Sequence, residues 1–150
     1  MLYLLLDVGP DTYALATAAV VEVVPYATLK PAPGAPPAVV GILNFRGQAV
    51  PVVDCGVLLA GRCSPLRFST RLILQRLEIA GSERILGVVG ENVTRVQTFE
   101  DSEFVEPGAC AADFPYAGRV VAYEGRWIQR LHLESVLSPE VWATLTTETA

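Results

Sequence analysis

The 150-residue chain is poor in most of the side chains that chemistry needs. It holds one histidine, one lysine, one methionine and three cysteines, and only 18% of its residues are charged. The lone histidine, His132, has no second imidazole with which to share a metal or a proton. Cys55, Cys63 and Cys110 are odd in number, widely spaced and without a CxxC pair. That argues against a disulfide framework or a zinc site, and reduced thiols fit a cytoplasmic protein. No GxSxG, P-loop, GxGxxG or HExxH string occurs, so the common nucleophile, phosphate, dinucleotide and zinc signatures are all missing. Ten scattered arginines and Lys30 face sixteen acidic residues, for a net charge of -5. With no basic block there is no electrostatic footprint for nucleic acid. No apolar run approaches the roughly 18 residues of a membrane-spanning helix. The opening Met1-Leu2-Tyr3-Leu4-Leu5-Leu6 stops at Asp7 and lacks the positive start of a signal peptide, so direct membrane insertion is not expected.

What the chain has in quantity is apolar surface. Hydrophobic residues make up 51%, enough for a core that needs no disulfide or metal, since a chain of this size buries roughly 70% of its unfolded surface. The excess suggests that a partner covers part of it. The pattern is β-rich. Leu2 to Val8 and Tyr13 to Ala16 flank a turn at Gly9-Pro10-Asp11, and Val20 to Val24 is a β-branched run interrupted by Glu22. Five of eleven prolines lie from Pro25 to Pro37, which predicts an ordered extended loop. Val39 to Phe45 and Gln48 to Val53 form a hairpin around Arg46-Gly47. Asp54 is then the N-cap of a short helix, Cys55 to Ala60, stopped by Gly61. Arg71 to Ile79, Arg84 to Val89, Asn92 to Phe99, Arg119 to Tyr123 and Arg126 to Leu131 read as further strands, and residues 100–117 as loop. His132 to Leu137 leads into a final helix restarted by Ser138-Pro139. About ten short strands with few helices predict a single all-β domain over residues 1–150.

No group in this pattern converges on catalysis. His132 sits between Leu131 and Leu133, and Glu134 is its only acidic neighbour. Asp54 has no second carboxylate beside it to hold Mg²⁺. No enzyme activity and no cofactor are expected. Glu22, Arg46 and the proline loop between them describe instead a rigid recognition surface, with an arginine able to make forked contacts to carboxylates or carbonyls.

The stretch Val20-Val21-Glu22-Val23-Val24-Pro25, then Pro33-Gly34-Ala35-Pro36, then Val40-Gly41-Ile42-Leu43-Asn44-Phe45-Arg46-Gly47-Gln48-Ala49-Val50-Pro51-Val52-Val53-Asp54 resembles the CheW-like domain family. Looser agreement covers nearly the whole chain. The resemblance implies two five-stranded SH3-like barrels side by side, an apolar core between them and a C-terminal helix. It also implies a stand-alone adaptor that joins the cytoplasmic hairpin tip of chemoreceptors to the regulatory domain of a CheA-type histidine kinase, with other CheW-like domains as further partners. Such a protein is cytoplasmic and is held at membrane-bound receptor arrays by protein contacts. Glu22 and Arg46 fall on motif positions that the family uses for partner contact. Pro33, Gly34, Pro36, Gly41, Asn44, Gly47, Pro51 and Asp54 fall on positions explained by turn geometry and local structure. The segment from Cys63 to Thr70, residues 100–117, and Glu91-Asn92 depart from the family pattern. The opening residues and Ser69-Thr70-Arg71-Leu72-Ile73-Leu74 look similar to accessory proteins of Wsp-type surface-sensing systems. A regulatory fragment of a larger kinase and a small-ligand barrel are the alternatives. The Met1 start and the lack of ATP-binding motifs weigh against the first, and the lack of any converging polar pocket signal against the second.

Overall fold

Leucine-rich and β-branched runs, punctuated by Gly- and Pro-containing turns, give nine strands in the computed structural model, which describes residues 1–79, 81–107 and 118–147. In chain order these are β1 (Leu2–Val8), β2 (Asp11–Ala16), β3 (Val20–Pro25), β4 (Val39–Phe45), β5 (Gln48–Asp54), β6 (Thr70–Ile79), β7 (Ser82–Thr98), β8 (Val120–Tyr123) and β9 (Arg126–Arg130). The helices are short: α1 (Cys55–Ala60), α2 (Leu133–Val136) and α3 (Pro139–Thr147).

The strands form one hydrogen-bonded network in the order β3-β6-β7-β1-β2-β9-β8, with β5 also paired to β7 and β4 to β5. The long strand β7 belongs to both halves of the molecule. From Ser82 to Glu91 it lies antiparallel to β6, and Gly87 to Val89 lie parallel to β5; from Glu91 to Thr98 it lies antiparallel to β1. Two sets of five strands result: β3-β6-β7-β5-β4 and β7-β1-β2-β9-β8. This is the all-β pair of SH3-like barrels that the family pattern implies. Neither set closes as a complete ring of backbone hydrogen bonds among the described residues. In the first, β3 and β4 are end strands; in the second, the gap is narrowed by a two-way bridge between Val105 and Val120.

Each barrel has its own core, and a larger one lies between them. Leu43, Val50, Val52, Leu72, Leu74 and Val89 fill the first barrel, and Tyr3, Leu5, Ala14, Phe99, Phe104, Val121 and Ile128 the second. The central core takes Leu4, Leu6 and Val8 from β1, Ile73 and Leu77 from β6, Val88 from β7, and Leu133, Val136, Val141 and Leu145 from the C-terminal helices. Successive side chains of a strand point to opposite faces. Tyr3 and Leu5 therefore enter one core and Leu4, Leu6 and Val8 another, which is why the run from Tyr3 to Leu6 is apolar without alternation.

The structure corrects the sequence reading in three places. The expected strands Arg84 to Val89 and Asn92 to Phe99 are one continuous strand, so the described residues hold nine strands and not ten. The polar Gly90-Glu91-Asn92 does not break the chain because its groups find distant partners. Asn92 N–H donates to the Ser69 carbonyl (3.1 Å), and the Asn92 carboxamide donates to Asp7 (2.8 Å). Pro25, expected to open the loop, closes β3 instead, where an end strand tolerates a missing N–H. Within the predicted loop 100–117, Asp101–Glu103 forms a 3₁₀ turn and Val105 bridges Val120; residues 108–117, with Cys110, lie outside the described residues.

Candidate partner-binding site

The tip of the β4–β5 hairpin is a two-residue turn, since Phe45 pairs with Gln48 across Arg46 and Gly47. Both central residues have positive φ, 51° at Arg46 and 82° at Gly47, the sign pattern of a type I′ turn, whose twist matches that of the flanking strands. The Asn44 carboxamide oxygen accepts from the Gly47 N–H at 3.0 Å and holds the turn from within. Arg46 thus projects from a fixed backbone. Its guanidinium stacks on Phe45, 4.7 Å from the ring centroid, and donates from Nη2 to Glu22 Oε1 at 2.9 Å.

Glu22 stands on β3, one end strand of the first barrel, and Arg46 on the hairpin of the other. Their ion pair joins β3 to the tip of the β4–β5 hairpin, where the two end strands are not paired with each other among the described residues. The side chains are 73% exposed for Arg46 and 39% for Glu22. An exposed pair of this kind contributes only about 0.2–1 kcal/mol, because water screens it and two long side chains must be ordered. With one donor directed at Glu22 and most of the group in water, the remaining fork can receive a carboxylate or carbonyl.

The other motif residues lie elsewhere and have local tasks. Pro33 and Gly34 are the central residues of a turn closed by Ala35 N–H to the Ala32 carbonyl (3.2 Å), with Gly34 at φ 80°, as a type II turn requires. The Pro36 carbonyl accepts from Val39 N–H at 2.9 Å. Gly41 lies beneath the crossing loop, where a Cβ would stand 2.7 Å from Leu29 Cβ and 2.8 Å from the Lys30 carbonyl. Ile42 spends both its backbone groups on Lys30, so its partner on β5, Pro51, occupies a non-hydrogen-bonded pair and its missing N–H removes no bond to β4. Asp54, at the far end of β5 from Arg46, is 4% exposed. It accepts from Gly56 N–H (2.7 Å), Ser64 N–H (2.9 Å) and Ser64 Oγ (2.5 Å). These donors cap α1 and pin the segment that follows it. Next to it the Cys55 thiol is wholly buried, and burial, then the Asp54 charge, push its pKa far above the ordinary range, so it is no nucleophile. His132 is exposed at the start of α2, with no side-chain cap bond.

Sequence reasoning missed a second polar cluster. Glu91 is 7% exposed and accepts from Thr70 Oγ1 (3.3 Å) and Arg67 (3.5 Å), while Asp7 accepts from Thr12 (2.8 Å) and pairs with Arg95 (3.1 Å). The departure at Glu91-Asn92 is thus an internal staple between β7 and residues 61–69. No local pattern signals it, because its members lie far apart in sequence.

Comparison with known proteins agrees with this architecture. The chain is 28% identical over 135 residues, 89% of its length and 84% of the other, to a protein named chemotaxis protein CheW from Rhizobium meliloti (strain 1021). Its fold matches the crystal structure of the scaffolding protein TtCheW from Thermoanaerobacter tengcongensis with a TM-score of 0.76. That match is at 19% identity and covers 93% of this chain and 89% of that one. The model of the CheW-like domain matches residues 2–140, and the chain belongs to the CheW-like domain family.

Proposed function

We propose that the protein is a non-enzymatic adaptor that couples methyl-accepting chemoreceptors to a CheA-type histidine kinase in a chemosensory array, and that Glu22 and Arg46 touch a partner. The observation that carries this reading is the Arg46 turn. A charged side chain is held in a costly backbone conformation, on a fixed hairpin, where it adds little to the fold. Such strain is retained where a surface is used. Family membership and the names of the two relatives support a scaffold role. In this reading the adaptor sits in the cytoplasm and reaches a membrane-bound array through protein contacts; no helix among the described residues is long and apolar enough to cross a membrane. It acts by linkage: by binding the signalling states of receptor and kinase unequally, it shifts their populations together.

The test is a titration of the whole chain against two fragments from the same cell, the receptor's cytoplasmic hairpin and the kinase's regulatory domain. Binding to both is expected. Arg46→Glu sets two carboxylates side by side and is expected to weaken one of the two affinities by about tenfold or more while the fold survives. Binding to neither fragment refutes the coupling role, and unchanged affinity of the variant for both removes Arg46 from the interface.

A further inference from the structure

The pairing of β5 with β7 stops short. Val52, Val53 and Asp54 run parallel to Gly87, Val88 and Val89, and upstream of Val52 no pair joins the two strands. Pro51 is the cause. In an antiparallel hairpin, backbone groups turn alternately toward the partner strand and away from it. Pro51 stands in a non-bonded pair with Ile42 of β4, so its backbone nitrogen faces β7, where it has no hydrogen to give. The strands part there, and a groove of about 520 Å³ opens between Gln48 to Pro51 on one side and Ser82 to Ile85 on the other, with Leu145 of α3 beside them.

The walls of this groove are unpaired strand edges. By the same alternation, Ala49 on β5 turns its N–H and carbonyl away from β4 and into the groove. On β7, Ile79 pairs with Ser82 at the narrow end of the β6–β7 hairpin, so Glu83 and Ile85 turn their backbone groups away from β6 and toward β5. Donors and acceptors thus face each other across a slot with no strand between them. One charge is built into the slot. Arg84 is half-buried and has no hydrogen bond or ion pair among the described residues, whereas Arg130, also half-buried, pairs with Asp101 and lies on Phe104. Exposed Glu83 points to the opposite face of the strand from Arg84. A guanidinium cannot shed its charge, and half-burial strips part of its water. A carboxylate restores what is lost, and can do so at two points of the fork.

We infer that the slot between β5 and β7 receives an extended segment of a partner protein as an added strand, carrying an aspartate or glutamate that pairs with Arg84. Strand addition draws its affinity from backbone hydrogen bonds and its selectivity from alternate side chains. Proline within the added segment is refused, since it lacks the hydrogen to give, as Pro51 does. The slot lies on the β7 flank of the β4–β5 hairpin, whereas Arg46 reaches from the tip to β3. The inference therefore stands apart from the coupling role and needs neither receptor nor kinase.

A displayed library of random twelve-residue peptides, selected on the full chain, tests it. Enriched peptides are expected to share an acidic residue within a proline-free stretch. On titration with one of them, the nitrogen-15 amide signals of Ala49, Glu83 and Ile85 should move while those of Glu22 and Val23 stay. Arg84→Gln should weaken that peptide by about tenfold or more and Arg84→Glu further still, with far-UV circular dichroism confirming that both variants fold. Methylating the peptide's backbone nitrogen beside the acidic residue leaves every side chain intact and should weaken it comparably. A selection that enriches nothing overturns the inference. So do enriched peptides without a carboxylate, or affinities that Arg84→Gln or the methylation leaves unchanged. Self-association of the chain in sedimentation, lost in Arg84→Gln, would give the slot to a second copy and overturn the separate partner.

Discussion

Arg46 occupies a backbone region that costs an ordinary L-residue roughly 1–2 kcal/mol, and asparagine and glycine far less. Its φ of 51° therefore weighs against its ion pair with Glu22, worth at most about 1 kcal/mol on an exposed seam. Arg46→Asn is expected to leave stability unchanged or raise it by about 0.5 kcal/mol in chemical denaturation, while partner affinity falls. A loss above about 1 kcal/mol would show that the pair, and not the turn, governs the tip. The buried Cys55 thiol makes a separate prediction. It stays protonated in the folded state at a pH where the unfolded chain ionises near the usual thiol value of about 8.5. The unfolded state then binds fewer protons, so stability must fall as pH rises above that value, by at most about 1.4 kcal/mol per pH unit. In a Cys110→Ser background, exposed Cys63 should react with a thiol reagent at once and Cys55 only on unfolding. Comparing that background with a further Cys55→Ala change isolates the alkaline slope, and identical slopes would refute its origin. Which residues could matter was visible in the sequence because Arg-Gly at a hairpin tip is a local pattern. That Arg46 and Glu22 meet was not, since 24 residues and an unpaired barrel seam separate them.

Among the elements, the crossing of the proline loop over β4 depends on a single missing methyl group. Gly41→Ala would drive a Cβ against Leu29 and the Lys30 carbonyl and part the Lys30–Ile42 bridge. An overpacking cost of about 1–3 kcal/mol is expected, measured as a lower denaturation midpoint at unchanged slope; a neutral substitution would mean that the loop slides aside freely. The hairpins and α1 were legible because turn residues and caps act on near neighbours: Arg46-Gly47, Glu124-Gly125 and the Asp54 cap all carry their instructions within four residues. The passage of β7 through Gly90-Glu91-Asn92 was not legible. A polar trio with Asn92 in the left-handed region looks like a turn from inside the chain. It remains a strand only because β6 hands it to β1 at Glu91, where Thr70 and Asp7 both pair with that residue.

For the molecule as a whole, the largest core lies between the barrels and not within either. With β7 common to both, neither half can unfold and leave the other its full complement of strands. Leu6, wholly buried in the central core, should cost about 3–5 kcal/mol as Leu6→Ala. Unfolding should be a single transition in which far-UV circular dichroism coincides with the fluorescence of Trp127 and Trp142. Separated transitions would mean that the barrels are independent. The all-β class was readable from composition and turn spacing. The division of β1 between two cores was not, because an unbroken apolar run says that both faces are covered without saying by what.

The order in which these strands are synthesised has a consequence for the living cell. β1 and β2 are made first, yet they belong to the second barrel, and Leu5 pairs with Arg95. At the usual pace of about 5–20 residues per second, the leucine-rich hairpin waits on the order of 5–20 s outside the ribosome before its neighbour exists. During that interval it is an apolar two-stranded ribbon with an open edge, the kind of species that aggregates unless it is shielded. However stable the finished fold, its greatest aggregation hazard thus falls in the interval when β1 and β2 stand without β7.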